Sequence, residues 1–498
     1  MGIVARQSIK NFFWSNIGII LGALYTFLII PRVFNENPAQ WGLIQLIIYY
    51  NQILLPLTLL SIPTVIIKFF PSFRKKEKGN DLYSLSLIIV LTNVILVSTL
   101  FVAFRSTLIS NEDGIKNLSQ YTLIVIPILL FSSLFEVFAA WSKVILKSTV
   151  PNFLKDSFLK SWNFLIVLLF YFDFIEFNTL IFLFFGIYAI QLILMFIYVK
   201  RKDSIRFRLN KSVITSTFQK KHFSYMIFSV MGIAAFTLIN KLDVLMIGKL
   251  LSLQEVAFYS IGLALVAFVQ LPEKSISAIS VPTLSHLLEK DDKAGIHSLY
   301  QKTSITQLVI SSFIFIGIWI NMHNISEYLG PKFGNIEYVV LFLGLAKVVD
   351  VLTGLNGPLI GISKYYRSIL VMQLILVAIV VTSNLIFIPR YGINGAAFAS
   401  FISLSLYNII KTVFVYKKFR IWPFSIKSVL AILIGLSALA LNRIIPELEG
   451  FWADLLIRSG VFSLVFISLV LGLNISDDLN TVAKNLIPGS GKKHTNQT

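Results

Sequence analysis

The chain contains no cysteine, so disulfides and thiolate metal sites are excluded and redox usage assigns no compartment. Charge is scarce as well. Only 13% of the 498 residues are charged, against about 25% in soluble globular chains. Acids are the scarcer sign, 24 against 43 bases. The five histidines (His222, His286, His297, His323, His494) are scattered over loops and tail, without the paired spacing a metal site needs. A phosphate loop is missing too. Gly489-Ser490-Gly491-Lys492-Lys493 resembles one, but it lacks the first Gly at the right spacing, the Ser/Thr after Lys and a preceding strand. It reads as a solvated basic tail, and any work must come from an ion gradient, a substrate gradient or downstream consumption.

What the chain has in abundance is apolar surface: 56% hydrophobic residues and a mean hydropathy of +0.80. Runs of about 20 apolar residues recur throughout, the length a ~30 Å hydrocarbon core asks of a helix. Strict in/out alternation is missing, which argues against a β-barrel. The runs predict an all-α integral membrane protein of about fourteen spans, at 9–31, 41–68, 83–104, 120–141, 150–171, 178–199, 223–247, 256–283, 303–322, 336–361, 367–389, 393–416, 424–444 and 452–473. The basic start before the first run has no small-residue cleavage site and reads as a retained signal anchor.

The net charge of +19 is a topology signal. Lys and Arg gather in alternate loops: Arg74 to Lys78, Lys143 and Lys147, Lys200 to Lys221, Lys290 and Lys293, Lys364 and Arg367, Lys417 to Arg420, and the tail. The intervening loops hold few bases and several acids, among them Glu36, Glu112, Asp113, Asp173 and Glu176. The positive-inside rule then predicts both termini in the cytoplasm, with anionic-lipid contact as a secondary role. This placement argues against nucleic acid as a partner. Six tryptophans, Trp14, Trp41, Trp141, Trp319, Trp422 and Trp452, fall near predicted span ends, where an amphipathic ring suits the headgroup layer. Trp162 sits inside a span.

The chain also nearly repeats itself. Pro31-Arg32-Val33 … Gln40-Trp41-Gly42 aligns without a gap on Gly248-Lys249-Leu250 … Ala257-Phe258-Tyr259, a comparison worth making first in any long chain. In that register Pro56 falls one place from Pro272 and Ser148 two places from Ser363. Six spans per repeat return the chain to one side, so the predicted fold is two six-helix lobes related by a pseudo-two-fold along the membrane normal, plus two extra C-terminal helices. Parallel-repeat transporters have this plan, with the site at the seam. The corresponding division is 1–210, 211–422 and 423–498, the first two parts separated by the basic stretch Lys200 to Lys221.

Ionisable residues inside spans are costly in hydrocarbon and by default face a cavity or a partner. Lys241 and Asp243 lie in the seventh span, two apart and so not on one helix face; Lys241 alternatively snorkels to the outer interface. Lys347 and Asp350, three apart in the tenth, either neutralise each other or line the cleft. Glu273 and Lys274 follow Pro272, which either breaks the eighth span beside them or ends it early. Glu136 in the fourth span is a proton site or an interhelical hydrogen-bond partner. Lys155, Asp156 and Lys160 read as the edge of the fifth. Gly18, Gly22, Pro56, Pro63, Pro282, Gly354, Gly357 and Pro358 serve close packing or bending.

Several motifs resemble one family. The opening Ser8-Ile9-Lys10-Asn11-Phe12-Phe13-Trp14 with Gly18 and Gly22, then Pro31-Arg32-Val33-Phe34 and Trp41-Gly42, is similar to the start of bacterial polysaccharide (O-antigen type) flippases. These belong to the multidrug/oligosaccharidyl-lipid/polysaccharide exporter superfamily. Leu242 to Gly248, Phe258-Tyr259-Ser260, and Asn384 to Ile393 with Gly395-Ala396-Ala397 continue the resemblance along the whole chain. It implies a non-enzymatic transporter in the bacterial cytoplasmic membrane, carrying undecaprenyl-diphosphate-linked oligosaccharide to the outer leaflet for surface polysaccharide. A polymerase and chain-length machinery would be its partners. Arg32, Lys241, Lys274 and Lys347 are then candidates for the diphosphate, and Glu136, Asp243, Glu273 and Asp350 for coupling to H⁺ or Na⁺, with no other cofactor. The alternatives are a drug/cation antiporter or a peptidoglycan-precursor flippase of the same superfamily. A membrane-embedded polymerase, ligase or glycosyltransferase fits less well, because its acid/base groups usually sit on a long outside loop.

Overall fold

The structure, a computed structural model, describes residues 14, 17–18, 20–22, 24–74, 79–108, 118–145, 147–202, 220–333, 335–442, 444–446 and 448–486. The opening motif before Trp14, Lys75 to Lys78, most of the basic stretch and the Gly489 to Lys493 run lie outside these residues. The described residues form helices and no strand. Helix overlaps every predicted span range.

By length and composition, nine of the described helices can cross a membrane, or ten when Glu337–Leu352 and Asn356–Ile362, bent by 51°, count as one span. The difference from fourteen has physical origins. Tyr366–Phe419 covers 54 residues as two helical segments joined at a kink, enough at about 1.5 Å per residue for two crossings of the ~30 Å hydrocarbon core. Gly392 (φ 59°, ψ −141°) breaks it at the boundary predicted between 367–389 and 393–416. Only glycine takes that backbone without a Cβ clash. The fifth range is split by a π turn at Leu154–Phe158, and the thirteenth is a shorter helix, Ile426–Asn442. The second range, read as one span, is interrupted at Leu60 and Ser61, both at positive φ (43° and 58°).

The chain divides into two compact units, Met1–Ile261 and Gly262–Thr498. The first holds α1 (Pro38–Leu59), α2 (Ile62–Arg74), α3 (Gly79–Leu108), α4 (Val125–Val144), α5 (Leu159–Tyr171), α6 (Phe177–Lys202), α7 (Lys220–Leu250) and the start of α8 (Leu253–Val266). The second continues with α9 (Leu271–Glu289), α10 (Lys293–Ile320), α11 (Glu337–Leu352), α12 (Asn356–Ile362), α13 (Tyr366–Phe419), α14 (Ile426–Asn442), α15 (Phe451–Gly472) and α16 (Asp477–Leu486).

Lipid tails are as apolar as Leu, so helices associate through tight packing and polar contacts. In the first unit, α7 packs along α1, and α4 packs against α1, α2 and α6. Trp41 lies between Tyr25, Phe34 and Phe184 at ring distances of 6.3, 5.7 and 6.4 Å. Trp141 meets Phe70 at 4.9 Å and Tyr83 at 5.1 Å. Both indoles are buried, which corrects their reading as interfacial anchors: their rings fill helix–helix gaps. Trp422 and Trp452 are the exposed ones. The two repeat-aligned stretches meet at Gly42, where a Cβ would stand 1.7 Å from the Leu253 carbonyl oxygen. Gly42 is thus a close-approach glycine.

In the second unit α10 is the hub, packing on α9, α11, α14 and α15. The two C-terminal helices therefore lean on α10. Within α15, Arg458 donates to Asp454 at 2.9 and 2.7 Å, and Asn324 of the helix Met322–Phe333 donates to the same carboxylate at 2.6 Å, tying that helix to α15.

Candidate functional site

The second unit gathers four of the eight candidate residues. A 3₁₀ turn, Ala267–Gln270, precedes α9, and Pro272 stands in the first turn of that helix. Proline is tolerated there because the N–H it lacks would be unbonded anyway. The break predicted at Pro272 is thus the start of a new helix. Glu273 lies in that same first turn, where the helix dipole favours a carboxylate, and Gln270 just before it donates to Asp350 Oδ2 at 3.3 Å.

Asp350 sits one turn after Lys347 on α11, and its partners come from α13. Asn408 Nδ2 donates to Asp350 Oδ1 at 2.9 Å, and Lys411 Nζ lies 3.7 Å from the same oxygen. Thr353 donates to Asn408 Oδ1 at 3.0 Å, which fixes the amide with its NH₂ toward Asp350. Lys411 also stands over the Tyr407 ring at 4.4 Å, a cation–π contact that partly replaces its hydration. Its side chain is only 8% exposed. Asp350 feels the fields of Lys411 and Lys347. Glu273 feels those of Asp350, Lys411, Lys347 and Lys274. Lys274 itself is exposed and Lys347 half-buried. The result is a polar nest in an apolar bundle, with three ammoniums around two carboxylates.

Sequence reasoning missed Lys411, Asn408 and Gln270. Lys411 is the lone base in an apolar stretch of the twelfth range, seven residues before Lys418. The rule that singled out Lys347 applies equally to it. Asp454 and Arg458, an i,i+4 pair in the last span, were missed as well.

The first unit holds the other four. Asp243 on α7 is buried and accepts from Tyr259 Oη at 2.9 Å. Lys241 Nζ lies over the Tyr49 ring of α1 at 4.7 Å, and Tyr49 also feels the charge of Asp243. Two residues apart in sequence, Lys241 and Asp243 still share Tyr49 as a neighbour. Glu136 on α4 is ion-paired with Lys155 from the π turn, so the residue read as a span edge is its partner. Arg32 is exposed, at the end of the short helix Ile30–Val33. Among the described residues, no group of three or more His, Asp or Glu is placed to hold a metal ion.

No protein-family model matches the sequence. An uncharacterized membrane protein of Methanocaldococcus jannaschii is 22% identical over 497 aligned positions, covering 94% of this chain and 96% of that protein. Among solved structures, the lipid II flippase MurJ in an inward closed conformation superposes with a TM-score of 0.69, at 15% identity, over 95% of this chain and 100% of that one. An inward-facing multidrug resistance MATE family transporter of the MOP superfamily gives 0.63, at 10% identity, over 90% of this chain and 100% of the other. A Vibrio cholerae MATE transporter gives 0.55, at 13% identity, over 84% and 98%. The chain is an all-helical membrane protein with the fold of MurJ and MATE transporters.

Proposed function

We propose that the protein carries a polyprenyl-diphosphate-linked oligosaccharide across the cytoplasmic membrane, toward the outer leaflet, for surface polysaccharide assembly. A diphosphate with sugars cannot cross hydrocarbon unaided, because each unsatisfied polar group costs several kcal/mol there. The observation that carries the reading is the sign of the nest in the second unit. Lys274, Lys347 and Lys411 outnumber Glu273 and Asp350, a balance that suits an anionic headgroup. The sequence resemblance to polysaccharide flippases supports it, and so does a fold shared with a solved lipid flippase.

In this reading the diphosphate and Asp350 compete for Lys411 and Lys347. When phosphate takes the ammoniums, Asp350 and Glu273 lose their counter-ions and bind H⁺ or Na⁺ instead. Anion and cation sites linked in this way have a reciprocal coupling free energy. Asp243 and Glu136 are the corresponding candidates in the first unit. Arg32 and Lys241 are further phosphate candidates. Both termini lie in the cytoplasm, and a polymerase would receive the cargo.

A second reading, drug/cation antiport, is favoured by one observation: Asp243 lies buried beside Tyr49 and Tyr259, an acidic and aromatic setting. Deletion in the organism of origin separates the two. Loss of surface glycan with build-up of lipid-linked units supports the flippase. Normal glycan, with drug resistance on overexpression, supports the antiporter.

A further inference from the structure

The second unit also contains a cavity of about 640 Å³ that the transport reading leaves unused. Three chain segments wall it: the end of α9 with the turn after it, the connection from α12 to α13, and the end of α13. Lys293, Lys364, Lys418 and Arg420 line it together with Glu289 and Asp291, so positive charge is in excess.

Two of these lysines are held by one ring. Lys364 Nζ and Lys418 Nζ each lie 5.4 Å from the centroid of Tyr365. That ring is itself pinned edge-on by Phe414 at 5.8 Å and Phe419 at 5.7 Å. Arg420 closes α13 in a left-handed conformation (φ 60°). The site is preorganised for an anion, which lowers the ordering cost of binding.

The surroundings identify the kind of anion. Leu288, Phe419 and Ile421 give the cavity an apolar wall. Tyr366, Tyr416 and Trp422, next in sequence to lining residues or within two of them, expose large aromatic surfaces, as side chains in the headgroup layer do. The cavity therefore combines cations, an apolar wall and an aromatic rim. We propose that it seats the phosphate of an anionic glycerophospholipid from the surrounding leaflet, a resident lipid distinct from the transported cargo. Such a lipid braces three connections whose clustered cations otherwise repel one another.

The test is native mass spectrometry of the full-length protein in neutral detergent, titrated with phosphatidylglycerol and, separately, with phosphatidylcholine. Lys364→Gln with Lys418→Gln is expected to weaken phosphatidylglycerol binding about 30-fold, at roughly 1 kcal/mol per lysine and 1.4 kcal/mol per tenfold. Phosphatidylcholine binding should stay as it is. Glu289→Gln with Asp291→Asn should tighten phosphatidylglycerol binding, a gain that a misfolded protein cannot produce. Lys249→Gln with Lys332→Gln, the same charge removed elsewhere, should leave it unchanged. Equal weakening by this control pair, or no gain from the acid variants, overturns the site. Displacement by inorganic phosphate at equal concentration overturns the lipid as its source.

Discussion

Asp350 and Lys411 bridge α11 and α13, with Lys411 Nζ 3.7 Å from Asp350 Oδ1 and the ammonium side chain almost wholly buried. An ion pair in an apolar bundle is more costly to break than to omit, because removing one partner strands the other. Lys411→Met alone is expected to cost about 3 kcal/mol of stability. Asp350→Asn added to it should recover part of that loss. Thermal unfolding in detergent checks both, and a double variant no better than the single one would show that the pair is not the source.

Gly42 tests the packing account. A methyl group there would overlap the Leu253 carbonyl oxygen at 1.7 Å, and backbone on both sides leaves no flexible side chain to yield. Gly42→Ala should lower stability by at least ~2 kcal/mol, in the range of overpacked cores. Gly472→Ala, where a Cβ meets nothing within 4 Å, should be nearly silent. Melting temperatures of the two variants compare them directly.

Arg458 should anchor α15. Its two bonds to Asp454, with Asn324 on the same carboxylate, form a buried network. Arg458→Met leaves the buried Asp454 charge without its counter-ion and should destabilise the protein by about 3–5 kcal/mol. Proteolysis focused on the segment after Asn442 would report it, and an unchanged cleavage pattern would count against the anchor.

The docking of α16 should depend on pH and salt. Lys427 Nζ lies 2.9 Å from Asp477 Oδ1, and that hydrogen bond and charge hold the Asp477 carboxyl below the usual carboxylate range. A depressed acid stabilises the folded form above its unfolded-state value and loses that contribution as pH falls through the lowered one. The pair is well exposed, so the effect is small and screened by salt. The protection factors of the α16 amides, which correct for the slower intrinsic exchange in acid, should fall on acidification, and Lys427→Gln should abolish the pH step.

Much of the architecture was legible in the sequence because hydrocarbon thickness imposes span length. Helix breaks were less legible. Gly392 falls at a predicted boundary, but Leu60 and Ser61 interrupt a run whose hydropathy is continuous, since left-handed backbone at non-glycine residues leaves no compositional mark. Charge inside spans identified Lys347, Asp350, Glu273 and Asp243 as residues of interest. It did not identify their partners, because Gln270, Asn408 and Lys411 are 80, 58 and 61 positions from Asp350 and only folding brings them close. Trp41 and Trp141 misled for a related reason: a tryptophan near a span end fits the headgroup layer and a helix crossing equally well. The packing of α7 along α1 is another contact that no local pattern encodes.

The most direct measurement is translocation of a lipid-diphosphate oligosaccharide in reconstituted vesicles, with and without an H⁺ or Na⁺ gradient. The wild-type protein is predicted to move the headgroup to the far leaflet. Lys347→Gln and Lys241→Gln, folded and inserted to the same level, should each slow it by about tenfold, one charged hydrogen bond's worth. No translocation by the wild-type protein, or wild-type rates in both variants, would contradict the account.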